Sequence, residues 1–177
     1  MITGPSALCW LTQNLGADQQ AASSTDNTES SAGWYWQFNN IQGYKHDGTV
    51  RTPATPAWGS WLSANSGSTD WLSANDPCSL LLGTGWRIPT NTEWTAADAP
   101  SQNWLSPADA YNSVLKLHMA GSLLSTNGTL VTRGSTAYYW SSSQANAASA
   151  YVLSLSSGYS ATTYIDKATA APLRCVK

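Results

Sequence analysis

The chain has 177 residues, which fits one domain able to bury a sizeable core. Only 10% of them are charged, the formal net charge is -2 and no basic stripe exists, which argues against nucleic acid as a partner. No apolar run reaches the roughly 20 residues that cross a bilayer, so membrane insertion is not expected; Met1-Ile2-Thr3-Gly4-Pro5 has no signal-peptide pattern, which decides nothing about location.

Ten Trp and eight Tyr stand against a single Phe. Trp and Tyr join apolar bulk to a hydrogen-bonding atom, which suits a core built beneath long loops. Most of these rings are expected inside. The three cysteines, Cys9, Cys78 and Cys175, cannot all pair within one chain. They form no CxxC pair and have no histidine at zinc-ligand spacing, so one disulfide with one thiol, or three thiols, both fit.

The first elements are short. Leu8-Cys9-Trp10-Leu11 ahead of Gly16 reads as an early strand, and residues 18–32 as polar loop. Trp34–Phe38 reads as an aromatic strand, and residues 43–60, rich in Gly, Pro and Thr, as irregular coil. Trp61-Leu62-Ser63-Ala64-Asn65 returns as Trp71-Leu72-Ser73-Ala74-Asn75. Two copies are too few for a solenoid; they predict two similar turns, each docking a Trp. Thr90-Asn91-Thr92-Glu93 is a capping box and predicts a helix over 91–97. Ser106-Pro107-Ala108-Asp109 starts a second helix, continued at near-helical spacing by Ala110, Tyr111, Val114, Leu115 and Leu117-His118 to a stop at Gly121.

Strands follow. Residues 122–125 and 129–132 flank Asn127-Gly128, a type I′ hairpin signal. Further runs cover 138–142, 150–156, 159–165 and 173–176, with a turn at Ser157-Gly158. Within 150–156, Tyr151, Leu153 and Leu155 share one face and Val152, Ser154 and Ser156 the other. Helices in the middle and strands toward the end indicate an α+β domain with much coil.

Four segments carry a resemblance: Trp10-Leu11-Thr12-Gln13-Asn14-Leu15, Gly85-Trp86-Arg87-Ile88-Pro89-Thr90-Asn91-Thr92-Glu93-Trp94, Tyr139-Trp140-Ser141-Ser142-Ser143 and Leu173-Arg174-Cys175-Val176-Lys177. In this order they resemble the Fibrobacter succinogenes major paralogous domain family, related to C-type-lectin-like and formylglycine-generating-enzyme-like domains. The resemblance runs over nearly the whole chain. It implies a single C-type-lectin-like domain over 1–177: two helices packed on a small, mainly antiparallel sheet, with long coil insertions and the termini close together. It further implies a Cys78–Cys175 pair with Cys9 free.

Some members of this wider group resemble the variable proteins of diversity-generating retroelements, in which adenines of a C-terminal repeat are randomised. Substitution at Asn codons there can produce Asn, Tyr, Asp, His, Ser, Thr, Ala, Gly, Val or Ile and never Trp, Met, Glu, Gln or Lys. Residues 145–171 contain none of those five except Lys167, which would have to be a fixed position. The resemblance therefore implies a variable ligand-binding region over about 136–171 and a non-enzymatic receptor or adhesin. Tyr and Ser favour such a role on physical grounds, the one giving rigid contact area and the other adaptable hydrogen bonding.

The expected contacts are Ala145, Ala147, Ser149, Val152, Ser154, Ser156, Tyr159, Ala161, Thr163, Tyr164, Asp166, Ala168 and Ala170, with Tyr159 and Tyr164 as anchors. Trp140, Tyr151, Leu153, Leu155, Leu173 and Cys175 are expected to be scaffold. The partner would be a cell-surface protein or glycan, met outside the cell at a virion tip or a bacterial surface. The alternative is a fixed-sequence bacterial surface module that binds carbohydrate through exposed Trp loops around Trp58, Trp61 and Trp71.

Catalytic signals are missing. No HExxH, GxSxG, P-loop or GxGxxG pattern occurs, so an enzyme is not expected. His118 reads as a packing or solvated residue of the second helix, and His46 as part of a Lys45-His46-Asp47-Gly48 turn. Formylglycine-generating relatives activate oxygen with a cysteine pair, whereas Cys175 has no second cysteine near it in sequence. Arg87 and Glu93 are expected to be structural, since a half-buried Arg needs a partner. The Glu-Pro-Asn, Gln-Pro-Asp and Trp-Asn-Asp motifs of calcium-dependent lectins are absent and the acids are scattered. No cofactor or metal ligand set is expected, with room left for a structural calcium ion.

Overall fold

The computed structural model describes residues 2–98 and 104–177. Its strands are β1 (Ile2–Thr3), β2 (Cys9–Trp10), β3 (Tyr35–Gln37), β4 (Gly43–His46), β5 (Arg51–Thr52), β6 (Ser122–Leu123), β7 (Leu130–Val131), β8 (Thr136–Gln144), β9 (Ser149–Ser156), β10 (Tyr159–Asp166) and β11 (Ala170–Pro172). The α-helices among the described residues are α1 (Glu29–Ala32), α2 (Pro77–Leu82), α3 (Asn91–Ala97) and α4 (Pro107–Asn112). The fold is α+β, with few and short helices and with all named strands pairing antiparallel. Short strands build one sheet in the order β5-β4-β3-β11-β6-β7, and the three long strands build another in the order β10-β9-β8.

α3 forms where its capping box predicts it. Thr90 Oγ1 accepts from the Glu93 amide at 3.2 Å, and Glu93 Oε2 accepts from the Thr90 amide at 2.8 Å. The second predicted helix is shorter than its spacing suggests, because α4 stops at Asn112. Ser113 Oγ donates to the Ala110 carbonyl at 2.6 Å and accepts from the Leu115 amide at 3.2 Å, competing with the helical ladder. The chain then turns through Lys116 at φ 52° and runs on with Leu117, His118, Met119 and Ala120 all buried, which no single helical face could achieve.

Two other expectations are corrected. Residues 43–60 are not all coil, since β4 and β5 pair with Lys45 opposite Thr52 around a turn held by Asp47 Oδ1. The β6–β7 turn is wider than type I′: Gly128 alone takes left-handed backbone (φ 74°), and its amide reaches back to the Leu124 carbonyl at 2.8 Å. Tertiary contacts stabilise that wider loop, as Arg51 Nη1 donates to the Asn127 carbonyl at 2.8 Å and Trp61 Nε1 to the Ser125 carbonyl at 2.7 Å.

The two ends of the chain run side by side. Cys9 and Lys177 exchange backbone hydrogen bonds of 2.8 Å, and Leu11 donates to Cys175 at 3.0 Å. Arg87 and Val176 exchange another pair at 2.9 Å, so the Gly85–Pro89 segment lies along the other side of residues 173–177, which make isolated bridges at Val176 and not the strand expected over 173–176. Cys78 and Cys175 are disulfide-bonded, and Cys9 is a free thiol.

Burial is organised around the three long strands. Trp10, Trp94, Trp104, Leu115, Leu117, Tyr139, Leu153 and Leu155 pack on one side. Trp36, Phe38, Trp71, Trp86, Trp140, Val152 and Leu173 pack on the other. A third cluster, Tyr35, Tyr44, Ala120, Leu123 and Ala170, lies under the short-stranded sheet. The preference for Trp over Phe has a physical reason in a coil-rich fold, where carbonyls left outside long ladders need donors. The indole N–H groups of Trp10, Trp71, Trp94 and Trp140 donate to the carbonyls of Pro5, Asn75, Trp140 and Trp36 at 2.7–3.1 Å.

Charged groups serve the same frame. Arg174 is fully buried, and its guanidinium donates to the carbonyls of Leu11 (3.0 Å) and Leu115 (2.6 Å) and to Asn14 Oδ1 (3.0 Å). Arg87 grips Glu93 through both nitrogens at 2.7 and 2.5 Å. Burial alone would raise the Glu93 pKa, but the Arg87 and Thr90 hydrogen bonds outweigh it and hold the carboxyl below its ordinary value.

Candidate functional site

Pairing register decides which tail residues share a face. β8 and β10 both pair with β9, so Thr136, Tyr138 and Trp140 lie beside Ser156, Ser154 and Val152, which lie beside Tyr159, Ala161 and Thr163. The opposite face carries Ala137 and Tyr139, then Leu155, Leu153 and Tyr151, then Ser160, Thr162 and Tyr164. β9 is the middle strand and β10 an edge.

Each face is half covered. On the first, Trp140 and Val152 are sealed beneath Trp36, Phe38 and Trp71. The remainder opens outward through half-buried Thr136, Tyr138, Ser156, Ala161 and Thr163 to Tyr159, which is 48% exposed. On the second, α3 covers the Leu residues; Thr95 Oγ1 and Thr162 Oγ1 are 3.5 Å apart, and Ser160 Oγ donates to Asp98 at 2.5 Å. Tyr164 remains 59% exposed there, edge-on to Tyr151 with centroids 6.4 Å apart.

The expected contact residues therefore divide. Ser156, Tyr159, Ala161 and Thr163 come together on one open face, while Tyr164 and Asp166 lie on the other. Ala145 and Ala147 belong to the β8–β9 connection and Ser149 opens β9; there Asn146 Oδ1 accepts from the amides of Ala148 and Ser149 at 2.9 Å and the Ala147 carbonyl accepts from Gly67 at 2.9 Å. Four expected contacts are corrected. Val152 is fully buried and Ser154 is 7% exposed, because alternation names the second face of β9 but cannot reveal that a second core covers it. Ala168 and Ala170 are also buried; Ala168 lies just before β11 and Ala170 within it, where the strand sits between β3 and β6. The expected scaffold residues Trp140, Leu153, Leu155, Leu173 and Cys175 are buried, with Tyr151 half-buried.

One feature of the open face has no counterpart in the sequence pattern. Tyr138 and Ile165 meet Leu124, Val131, Thr132 and Thr136 around a mostly apolar cleft of about 320 Å³. Its walls come from four separate strands and a hairpin loop, so no local spacing announces it.

Lys167 also stands out. Its amine is buried, donating to the Gly67 carbonyl at 2.7 Å and to Gln144 Oε1 at 3.2 Å, and it sits 5.1 Å from the Phe38 ring centre. Burial lowers its pKa, opposed by the charge of Asp70.

The Trp loops are mostly occupied by the fold itself. Trp71 is buried against Phe38, and Trp61 packs on Tyr44 with the Arg51 guanidinium over both rings, 4.4 Å from the centre of Trp61 and 5.3 Å from that of Tyr44. Trp58 keeps an exposed ring. Among the described residues no three His, Cys, Asp or Glu side chains gather as a metal site would need, and no helix is long and apolar enough to cross a membrane. No known family model, no curated protein and no solved structure matches this chain.

Proposed function

We propose that the chain is a non-enzymatic ligand-binding protein of C-type-lectin-like fold, whose β10 edge is a surface open to sequence variation by a diversity-generating retroelement. The ligand is a cell-surface protein or glycan, met at a virion tip or a bacterial surface. The observation that carries the proposal is Lys167. It is the one residue of 145–171 that adenine substitution at Asn codons cannot produce, and it is tied into the interior by two hydrogen bonds. Around it, the exposed residues of β10 and of the β8–β9 connection are Asn146, Ala147, Ala148, Tyr159, Tyr164 and Asp166. A disulfide between Cys78 and Cys175 suits an oxidising, extracellular setting.

The test is a library randomised at Ser156, Tyr159, Ala161, Thr163 and Tyr164, screened for folding and for capture of bacterial cells. Most members are expected to melt within a few degrees of the parent, with binding that changes from one member to the next. Tyr159→Ala with Tyr164→Ala should abolish capture by the parent protein. Library members that all bind the same cells equally well would overturn the proposal. A reverse transcriptase gene beside a near-identical repeat differing only at adenines is the matching genomic observation.

A further inference from the structure

Away from the terminal sheet, Trp34 stands at the mouth of a recess of about 420 Å³ lined by Gly16, Ala17, Asp18, Lys45 and Leu81. Trp34 is 36% exposed, although it immediately precedes the buried strand β3. It is also held in place. One side stacks on Trp36, with centroids 6.2 Å apart and planes 23° from parallel. A Cβ at Gly16 would approach Trp34 Cδ1 to 2.6 Å, and one at Gly43 would approach Trp34 Cε3 to 2.7 Å. Two glycines thus let the indole approach the backbone closely, which holds it in place while its exposed surface lines the recess.

The rim of the recess has a definite chemistry. Lys45 Nζ lies 3.1 Å from Asp18 Oδ2, with the Asp18 side chain mostly exposed. Among the described residues Asp18 Oδ1 accepts no hydrogen bond, and the Lys45 amine makes no second one. The pair is neutral as a unit and offers one free acceptor and two free protons. Any ligand covering Trp34 would desolvate this pair, which costs free energy unless polar groups replace the lost water. The ligand must then be apolar on the side that meets Trp34 and Leu81, rich in paired donors and acceptors at its edge, and uncharged.

We propose that this recess is a second, fixed binding site and that it takes a pyranose ring of a neutral carbohydrate. The C–H face of the sugar lies on Trp34, and adjacent hydroxyls donate to Asp18 and accept from Lys45. A hydroxyl serves both members of the pair, which an ion or a hydrocarbon cannot do. The site shares no residue with the β10 edge and stands independently of the function proposed there.

The test is binding of the whole protein to a glycan array, with calorimetric titration of cellotriose, N-acetylglucosamine trimer and mannotriose. Saturable binding of a neutral glycan is expected, weakened about tenfold or more by Trp34→Ala and by Leu81→Asp, and unchanged by Tyr159→Ala with Tyr164→Ala. Should Trp34→Ala fail to fold, the double variant Asp18→Ala, Lys45→Ala, which alters only the exposed rim, must weaken binding about fivefold or more. Absence of binding to every neutral glycan at millimolar concentration overturns the proposal. So does binding that survives in a folded Trp34→Ala protein or in the rim variant, or that disappears with the two tyrosines.

Discussion

Strands β9 and β10 are both eight residues long and pair residue for residue from Ser156–Tyr159 to Ser149–Asp166. Both are built largely from Ser, Ala, Thr and Tyr. β9 nevertheless buries Val152 in one core and Leu153 and Leu155 in the other, whereas β10 has no fully buried residue. The difference lies in rank within the sheet. A central strand is covered on both faces by whatever packs on its sheet, and an edge strand reaches past that cover. A polar, small-residue composition therefore lies at an open surface on β10, while on β9 Ala150 and Ser154 are interior packing beside Val152, Leu153 and Leu155.

The largest expected effect comes from breaking the frame that keeps both strands in place. Arg174→Met should cost about 4 kcal/mol in chemical denaturation, because the carbonyls of Leu11 and Leu115 and the side-chain oxygen of Asn14 lose a buried donor together. A loss under about 1 kcal/mol would show that water replaces the guanidinium and that the frame is looser than it looks.

The next effect depends on pH. His118 is buried beside β8, exchanging hydrogen bonds with the Tyr139 hydroxyl through its backbone, while neither ring nitrogen has a partner among the described residues. Burial, helped by the Arg174 charge, pushes its pKa down to about 3 from an ordinary 6.5. As pH falls the unfolded chain takes the proton first, so stability is intact above pH 6.5 and is lost progressively from there toward pH 3. At pH 4.5 the loss should reach about 2–3 kcal/mol, and His118→Gln should flatten that slope. Asp26 acts lower down. Hydrogen bonds from Ala22, Thr28 and Ser31 overcome burial and hold it at about 2 against an ordinary 3.8, so its contribution disappears between those values. Urea melts from pH 7 to pH 2 distinguish the two windows.

The smallest effects sharpen the contrast directly, because Val152 and Thr163 are cross-strand neighbours. Val152→Ala should cost about 2 kcal/mol by leaving a void among Trp36, Phe38 and Trp140. Thr163→Ala should stay within about 0.5 kcal/mol. Thermal melts that rank the pair the other way would remove the distinction between a fixed β9 and a changeable β10.

Much of this was legible from local pattern. The capping box placed α3 to the residue, and the period-two runs placed β8, β9 and β10 within a residue or two. Glu93 needed only its position three residues after Thr90, and the Ser157-Gly158 turn needed only its residue types. Elements whose boundaries depend on distant partners were misjudged. α4 stops short where Ser113 and buried Leu117 take over, and the β6–β7 loop widens because Arg51 and Trp61 reach across to it. The apolar cleft at Tyr138 and Ile165 and the recess at Trp34 had no local signal at all.

The amino-acid sequence by itself determined the α+β class, the alternation that gives each long strand two faces, and the small polar character of the tail, since these follow from residue type and short-range spacing. Tertiary structure alone decided which face is covered, why Val152, Ser154, Ala168 and Ala170 are interior, and that Tyr159 and Tyr164 point to opposite sides of one strand. The physical reason is that alternation repeats every two residues along a strand, whereas cover comes from Trp36, Phe38, Trp94 and other rings supplied by segments dozens of residues away.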